Sequence, residues 1–453
     1  MNKHRLITNL VIVVLAGAIG VKAQTPVRFT AGPIQFDMIE IDKKFVSEGV
    51  GVADVDKDGD MDLFVGDYWY EAPGKTYIGT WIKREIRPAN AGGNQDIKAY
   101  SECHGAFVGD FNNDGYPDPL IVPFHGKEPT WYENPKNKTN TRWVAHGLGY
   151  NYGVEQSLYT DINGTGKKSL ITSNLGDHSW SYWTPDATGK FLETKITPPN
   201  ALNTGIFDHG LGMNDVNGDG KPDLIHQLGW YENPSNTTMW KFHADKFSDQ
   251  NLTQPTHIWT YDFNKDGRLD IFTASSHYPG VWWFSQTAPS TWKHNTVNPT
   301  LGTNHAMIMK DLDMDGIPDI ISGKRYFAHD VPADGVDVAL YWVKSTPGPT
   351  PKFDVYKINP ELAGVGTQFE VQDINEDNFP DIIVSNKAGV KIYLQVPRVV
   401  SVTPALQTLQ ISKGKTSPWM SNMGSMLLPT QKSGVSITID GRAFPSTPMS
   451  AHP

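Results

Sequence analysis

The stretch Asp54-Val-Asp-Lys-Asp-Gly-Asp-Met-Asp62 is one acidic turn of a pattern that recurs along the 453-residue chain. It has an Asp at its first position, carboxylates or amides at alternate positions, a Gly at the sixth and an Asp at the ninth. Four further copies keep all of these features: DFNNDGYPD from Asp110, DVNGDGKPD from Asp215, DFNKDGRLD from Asp262 and DLDMDGIPD from Asp311. A spacing of about fifty residues indicates a repeat architecture.

Two more copies of the turn are weaker. DINGTGKKS from Asp161 lacks acids at its fifth and ninth positions, where Thr165 and Ser169 stand. DINEDNFPD from Asp373 has Asn378 in place of the Gly, and Asn also enters the left-handed backbone region. The chain therefore contains seven repeats, of which six keep the acidic pattern.

The spacing of the acids predicts calcium binding. Side-chain oxygens at positions one, three, five and nine, with a backbone carbonyl at seven, can surround one hard cation, and Ca²⁺ accepts such an all-oxygen shell. The alternative is that the acidic turns are solvated and bind no ion, and we favour this alternative for the Asp161 copy. We expect six structural Ca²⁺ sites. Their predicted ligands are Asp54, Asp56, Asp58 and Asp62; Asp110, Asn112, Asp114 and Asp118; Asp215, Asn217, Asp219 and Asp223; Asp262, Asn264, Asp266 and Asp270; Asp311, Asp313, Asp315 and Asp319; and Asp373, Asn375, Asp377 and Asp381.

The residues around each turn predict the fold. A short apolar strand precedes the turn, another follows it, and then come an aromatic strand and a more polar one. Four strands in about fifty residues are one propeller blade. The last repeat stops after its third strand, and residues 36–42 read as an unpartnered fourth strand. We predict an all-β, seven-bladed β-propeller of four-stranded blades over residues 24–396, closed by this N-terminal strand, which removes an open edge.

The two ends of the chain differ from the repeats. Residues 1–23 carry basic residues, an apolar run and a small-residue cleavage site, which is typical of a signal peptide. This interpretation predicts a secreted protein, periplasmic or extracellular, with no membrane span after cleavage; a membrane anchor is the alternative. Residues 397–453 hold no copy of the repeat, and they read as a partly disordered tail or a small β extension.

Amino-acid composition and net charge limit the classes of function that the sequence supports. The formal net charge is −10, which six divalent cations would more than offset, and no basic run indicates nucleic-acid binding. Cys103 is the only cysteine, so no intramolecular disulfide can form. The chain has no Ser-nucleophile motif, phosphate loop or dinucleotide fingerprint. Oligomeric state does not follow from the sequence.

Histidines gather at the propeller face opposite the turns. The first strands line the central channel, and the residue six places before each starting Asp should lie at the channel mouth. Those residues are Glu48, His104, Glu155, His209, Thr256, His305 and Thr367, with His257 one place further on. His209, His257 and His305 could hold Zn²⁺ or another divalent ion through imidazole nitrogens, although a lone His at a strand start is more often structural.

The ends of the second strands add polar and aromatic residues to the same face. Trp69, Trp131, Trp230, Trp283 and Trp342 recur at one place in the repeat, which favours a role as wedges between blades. Tyr68, Trp180, Tyr278 and Tyr326 have no repeat partner, so we expect them to offer a platform for a sugar. The complete set of predicted substrate-binding residues is Tyr68, His178, Trp180, Gln227, Tyr278 and Lys387.

Two family resemblances follow from these motifs. The acidic turn between apolar strands resembles the FG-GAP or VCBS repeats of calcium-loaded propellers. The Trp-Tyr-Glu-Asn-Pro third strands at residues 131–135 and 230–234, together with the histidines, resemble the propeller domain of aldos-2-ulose dehydratase-type enzymes, and more loosely propeller-fold polysaccharide lyases. Those dehydratase-type enzymes carry further domains that this chain is too short to contain. The first resemblance implies fold and calcium; the second implies lyase chemistry.

The dehydratase resemblance and the clustering lead to one functional hypothesis. It is a secreted carbohydrate lyase or dehydratase that performs metal-assisted β-elimination on a keto-sugar or uronate-type substrate. The mouth metal or Arg325 would polarise the carbonyl, and one of His104, His125 and His277 would remove the proton. Tyr326 would protonate the leaving oxygen. Glu155 would serve as a fourth ligand or as the base.

A different class of function fits the same residues. A non-catalytic, calcium-loaded propeller could bind a glycan or mediate adhesion through the same loops, without any base or second metal. Paired-carboxylate hydrolysis has less support, because Glu48 and Glu155 do not lie in adjacent blades. The sequence does not identify the sugar.

Overall fold

The structure is a computed structural model. It describes residues 19–23, 25–88, 99–136, 142–234, 238–245, 254–325, 339–360, 364–397, 438–439 and 442–443. Every regular element within these ranges is a β-strand. None of the described segments is a helix long and apolar enough to cross a membrane.

Seven antiparallel sheets arranged in a ring form the blades of a β-propeller, as predicted. Blade one consists of β4 (Gly51–Ala53), β5 (Asp62–Val65), β6 (Tyr68–Glu71) and β7 (Thr80–Glu85). Blade two consists of β8 (Gly105–Gly109), β9 (Asp118–Val122), β10 (Thr130–Glu133) and β11 (Val144–Gly147). Blade three consists of β12 (Leu158–Thr160), β13 (Ser169–Asn174), β14 (Ser179–Pro185) and β15 (Phe191–Lys195). The strands of blades four and five are β16 (Gly212–Asn214), β17 (Asp223–His226), β18 (Gly229–Glu232) and β19 (Lys241–His243); and β20 (Trp259–Tyr261), β21 (Asp270–Ala274), β22 (Pro279–Ala288) and β23 (Thr291–Gly302). Those of blades six and seven are β24 (Met307–Lys310), β25 (Asp319–Gly323), β26 (Ala339–Thr346) and β27 (Lys352–Pro360); and β28 (Glu370–Gln372), β29 (Asp381–Asn386), β30 (Gly389–Gln395) and β3 (Ile34–Asp42).

The N-terminal strand closes the ring. β3 pairs antiparallel with β30, with Ile39 opposite Ile392, and so supplies the fourth strand of blade seven as predicted. β2 (Val27–Ala31) then pairs with β3 as a fifth, outer strand. Because β3 and β30 pair within one sheet, the ring of blades has no open edge.

Residues at the end of the predicted leader also join a sheet. β1 (Ile19–Lys22) pairs antiparallel with β7 at the outer edge of blade one, with Val21 opposite Trp81. Ala23 follows it, is buried, and donates its N–H to the carbonyl of Gly79 at 3.0 Å. Residues 1–18 of the predicted signal peptide lie outside the described residues.

The repeated tryptophans pack between blades. Trp131 contacts the buried Leu170 and Trp183 of blade three, and Trp342 packs with Ile382 and Tyr393 of blade seven. Trp69 lies in a corresponding cluster between blades one and two, and Trp230 lies in one between blades four and five. All four tryptophan side chains are buried. The prediction that these residues are wedges is confirmed for these four. Their burial, rather than any ligand, accounts for their recurrence.

We expect the closing strand to carry much of the ring's stability. Phe36 of β3 is fully buried among residues of blades six and seven. Phe36→Ala should therefore lower the free energy of unfolding by about 3 to 5 kcal/mol. Val27→Ala on the exposed outer strand should change it by less than about 0.5 kcal/mol. Equilibrium urea unfolding measures both, and equal effects would contradict a closing role for β3.

The chain divides into two units, Met1–Arg398 and Val399–Pro453. In the second unit the described residues are two short antiparallel strands, β31 (Thr438–Ile439) and β32 (Arg442–Ala443). The remaining residues of the predicted tail lie outside the described ranges.

Candidate functional site

The acidic turns share one backbone conformation. Residues at the fourth and sixth positions have positive φ in all seven copies, for example 65° at Lys57 and 95° at Gly59. Asn378 has φ 69°, so it enters the left-handed region as the sequence predicts. In each turn the first Asp accepts backbone N–H groups; Asp262, for instance, accepts from Asp266 and Gly267 at 3.1 and 3.0 Å.

The side chains of two turns converge as a cation site requires. One carboxylate oxygen from each of Asp54, Asp56 and Asp58 lies within 4.8 Å of the others, and the same holds for the turn that begins at Asp311. In the latter turn, Lys344 Nζ lies 2.6 Å from Asp315 and also contacts Asp313. The carboxylate oxygens of Asp54, Asp56 and Asp58 are a donor set that fits Ca²⁺, whereas in the second turn an ion would have to displace the Lys344 ammonium.

The ninth-position Asp has a different role from the other acids of the turn. Asp118 is buried, and its two oxygens accept the N–H groups of Phe111 and Asn134 at 3.1 and 2.8 Å. Burial raises the pKa of Asp118 to about 7 and that of Asp223 to about 6. These hydrogen bonds tie the turn to the end of the third strand, an architectural role that the sequence pattern did not reveal.

Three predicted mouth residues and His277, which follows a second strand, converge at the face opposite the turns. One ligand atom from each of Glu155, His209, His277 and His305 lies within 4.8 Å of the others. His209 Nε2 is 2.8 Å from Glu155 Oε2 and 3.0 Å from His277 Nε2, and His305 Nε2 is 3.7 Å from Glu155 Oε1. A tetrahedral ion with bonds of about 2.0 to 2.1 Å places its ligand atoms about 3.4 Å apart. The four residues therefore fit a divalent transition metal ion.

A buried guanidinium joins this group to a second carboxylate. Arg325 Nε donates to Glu48 Oε1 at 2.7 Å, and its Nη1 donates to Glu155 Oε1. Burial alone would raise the pKa of both carboxyl groups. The Arg325 charge beside both groups, with the His209 contact at Glu155, instead lowers both pKa values. Both carboxylates are thus ionised and fixed in place.

Tyr100 completes the packing around the cation. Its ring lies 5.1 Å from the Arg325 guanidinium and 5.1 Å from Lys387 Nζ. An aromatic face beside a desolvated cation is stabilising. Tyr100 was missed by sequence reasoning, because it lies in an inter-blade connection with no repeated pattern.

His104 and His125 lie beside the Arg325 bridge. His104 Nε2 is 3.6 Å from Glu48 Oε2, and the rings of the two histidines are 5.7 Å apart. Burial lowers the pKa of each to about 4, so both are neutral near pH 7 and each is a weaker base than an exposed imidazole. The Phe207 ring lies edge-on to His125 at 4.3 Å and is half exposed.

The comparisons with known proteins agree with the repeat. A family model described as FG-GAP-like repeat matches residues 215–273 and 262–322, and each match runs from an acidic turn into the second strand of the next blade. The chain is a seven-bladed propeller that contains FG-GAP-like repeats. No curated protein matches it in a sequence search.

One predicted zinc ligand of the FG-GAP propeller lies elsewhere. His257 is buried and faces a channel cavity of about 250 Å³ that Trp259 and Glu370 also line, and the structure does not bring it to His209 and His305. His257 stands five residues before Asp262, whereas His209 stands six before Asp215. A shift of one residue turns a strand side chain to the other face. His277, predicted as a base, joins the ligand group instead.

The predicted substrate-binding residues of the FG-GAP propeller have unequal access. Trp180 is fully buried, and its indole N–H donates to the Leu202 carbonyl at 3.0 Å, so a sugar could not stack on it. Lys387 is also buried, near Glu48. Tyr278 is 49% exposed and directly follows His277. The others are accessible to different degrees: Tyr68 half-buried under Lys83, His178 exposed beside Thr204, and Gln227 half-buried and bonded to Asn203. Tyr326, the predicted acid, lies outside the described residues.

His226 of the FG-GAP propeller is a core residue, and we expect it to make stability depend on pH. It is buried between Trp180 and Phe242, and burial lowers its pKa to about 3. Below about pH 6.5 the unfolded chain therefore binds a proton at His226, whereas the folded chain does not. The free energy of unfolding falls as the pH drops. Between pH 7.5 and 4.5 this group should lower the free energy of unfolding by about 2 to 3 kcal/mol.

Urea unfolding of wild type and His226→Gln at the two pH values measures this contribution. The variant should be less stable at pH 7.5 but should lose correspondingly less on acidification. An unchanged pH dependence would show that His226 is not responsible.

Proposed function

We propose that this propeller is a metal-dependent carbon–oxygen lyase that eliminates water or an alcohol from a keto-sugar or uronate-type substrate at the channel mouth. The single observation that supports the proposal is the convergence of Glu155, His209, His277 and His305 beside a buried Arg325. The three histidines, with Glu155 as a fourth ligand, suit Zn²⁺ or a related ion. Expansion to five-coordination, or release of Glu155, would open a position from which the ion could act as a Lewis acid towards a carbonyl oxygen.

The surrounding residues support elimination rather than hydrolysis by paired carboxylates. Glu48 and Glu155 are both held by Arg325, so neither is free to protonate a leaving group. Arg325 is buried and permanently charged, and its position suits stabilisation of the enolate that forms when the proton next to a carbonyl is removed. His125, neutral and adjacent to the exposed Phe207 ring, is the candidate base. The C–H proton that it takes would be returned to the leaving oxygen as the C–O bond breaks, so that water or an alcohol departs.

Structural calcium belongs to the same proposal. We infer six ions in the acidic turns that keep their acids, at the face opposite the lyase site. They would stabilise the ring and take no part in the reaction. Secretion, which the leader sequence predicts, would supply the millimolar calcium that weak extracellular sites need.

An elimination assay tests the proposal directly. The purified protein is mixed, with and without added Zn²⁺, with oxidised keto-sugars or with uronate polymers, and ultraviolet absorbance reports the conjugated product. Metal-dependent growth of absorbance is the expected result. Glycan binding without any product would instead favour the non-catalytic binding propeller.

A further inference from the structure

Two backbone carbonyls hold two of the mouth histidines. His209 Nδ1 lies 2.7 Å from the carbonyl oxygen of Phe207, and His305 Nδ1 lies 3.4 Å from that of Thr303. In both cases the carbonyl belongs to the residue two places before the histidine. The arrangement therefore recurs in blades four and six.

These contacts fix the tautomer of both imidazoles. A carbonyl oxygen can only accept a hydrogen bond, so Nδ1 must carry the proton in each ring. Nε2 is therefore the nitrogen left to coordinate a metal ion, which would take the place of any proton that Nε2 shares with Glu155. Nε2 is the atom that each ring presents to Glu155, at 2.8 Å for His209 and 3.7 Å for His305.

Both carbonyl residues have an uncommon backbone conformation. Phe207 has φ 66° and Thr303 has φ 54°. Bulky and β-branched residues rarely enter this left-handed region, and each such residue costs about 1 to 3 kcal/mol. Strain of this kind persists only where the surroundings enforce it, and it concentrates at functional sites.

The surroundings of both residues also bind other members of the site. The Thr303 carbonyl accepts the backbone N–H of Arg325 at 2.8 Å. Next to Phe207, the carbonyl of Asp208 accepts the backbone N–H of Glu155 at 3.0 Å. Each strained segment thus places a histidine and a charged partner together.

We propose that Phe207 and Thr303 are positioning residues whose left-handed backbone holds His209 and His305 with Nε2 directed at a divalent transition metal ion. This inference rests on the proposed function only for the presence of the metal. Outer-shell partners that orient ligating histidines are typically worth about 10- to 100-fold in metal affinity.

A matched pair of variants isolates the backbone from the side chain. Phe207→Gly and Phe207→Val both remove the aromatic ring, but Gly enters the left-handed region without strain and Val does not. Zinc titration of the calcium-loaded protein by calorimetry should give Phe207→Gly an affinity within about threefold of wild type. Phe207→Val should bind zinc about 10- to 100-fold more weakly, and its cobalt-substituted form should show an altered visible spectrum.

The outcomes separate this inference from the proposed function. Equal zinc affinities for the two variants would overturn the inference while leaving the metal site in place. A wild-type protein that binds no zinc at the mouth would overturn the metal-dependent function as well. If Phe207→Val does not fold, Thr303→Gly and Thr303→Val form a second pair with the same expected difference, and equal affinities there would also overturn the inference.

Discussion

Replacing His277 with Ala should remove the metal ion from the channel mouth and lower elimination activity by roughly 100- to 1000-fold. Its Nε2 lies 3.0 Å from His209 Nε2 within the four-ligand group. Loss of a direct ligand should weaken zinc binding by about 100-fold or more, beyond the effect of an outer-shell partner. Without the ion, its stabilisation of the transition-state charge is lost.

Two control variants sharpen this prediction. His257→Ala removes the histidine that the sequence predicts as a ligand but that the structure places in the channel cavity, so zinc affinity should be retained. His146→Ala removes a histidine stacked on Trp131 at the blade flank, and it controls for the general effect of losing an imidazole. Zinc titration and the absorbance assay measure all three. If His257→Ala lost zinc and His277→Ala kept it, the assignment of ligands from the structure would be wrong.

Removal of calcium should produce the second large effect. With the cations gone, two of the turns keep three carboxylates within a few ångströms of one another, Asp54, Asp56 and Asp58 in one and Asp311, Asp313 and Asp315 in the other. An ion present at 100 times its dissociation constant adds about 2.7 kcal/mol to folding stability. Losing several such ions should lower the Tm by roughly 10 °C or more. Differential scanning calorimetry with and without EGTA measures the change.

The weak copy of the turn supplies a matched control. Asp262→Asn should lower calcium stoichiometry by one ion and reduce the calcium-dependent stabilisation. Asp161→Asn should change neither, because that turn lacks acids at its fifth and ninth positions. A Tm that does not respond to EGTA would contradict calcium binding in the turns.

The fold could be predicted because its signal is periodic. Seven acidic turns with strands on either side specify the blades, and the position of Asn378 in the left-handed region follows from residue chemistry alone. Ring closure was also predictable, since the incomplete last repeat and the orphan strand around Phe36 complement each other. Local patterns of this kind can be recognised in a sequence without knowledge of the tertiary contacts.

The site could be predicted only in part. Counting back from each turn located His209, His305 and Glu155, because first strands start at equal depth. The same count, applied strictly, selects Thr256 over His257, and the alternation of strand side chains explains why His257 faces elsewhere. His277 comes from a loop after a second strand, where no period fixes its direction.

Some contacts within the site have no sequence signal, even where the residues themselves were predicted to lie at the mouth. The contacts of Arg325 with Glu48 and Glu155 join residues far apart in the chain, and only the closed ring brings them together. The strain at Phe207 and Thr303 is likewise invisible in residue type, because neither residue is one that favours a left-handed backbone.

Anomalous diffraction at the zinc edge, from crystals grown with calcium and zinc, would locate the metal ion at the channel mouth. We expect a peak about 2.0 to 2.1 Å from Nε2 of His209, His277 and His305, with a Glu155 oxygen at about 2.0 to 2.2 Å. A mouth without an anomalous peak, or a zinc ion bound at His257 instead, would contradict this expectation.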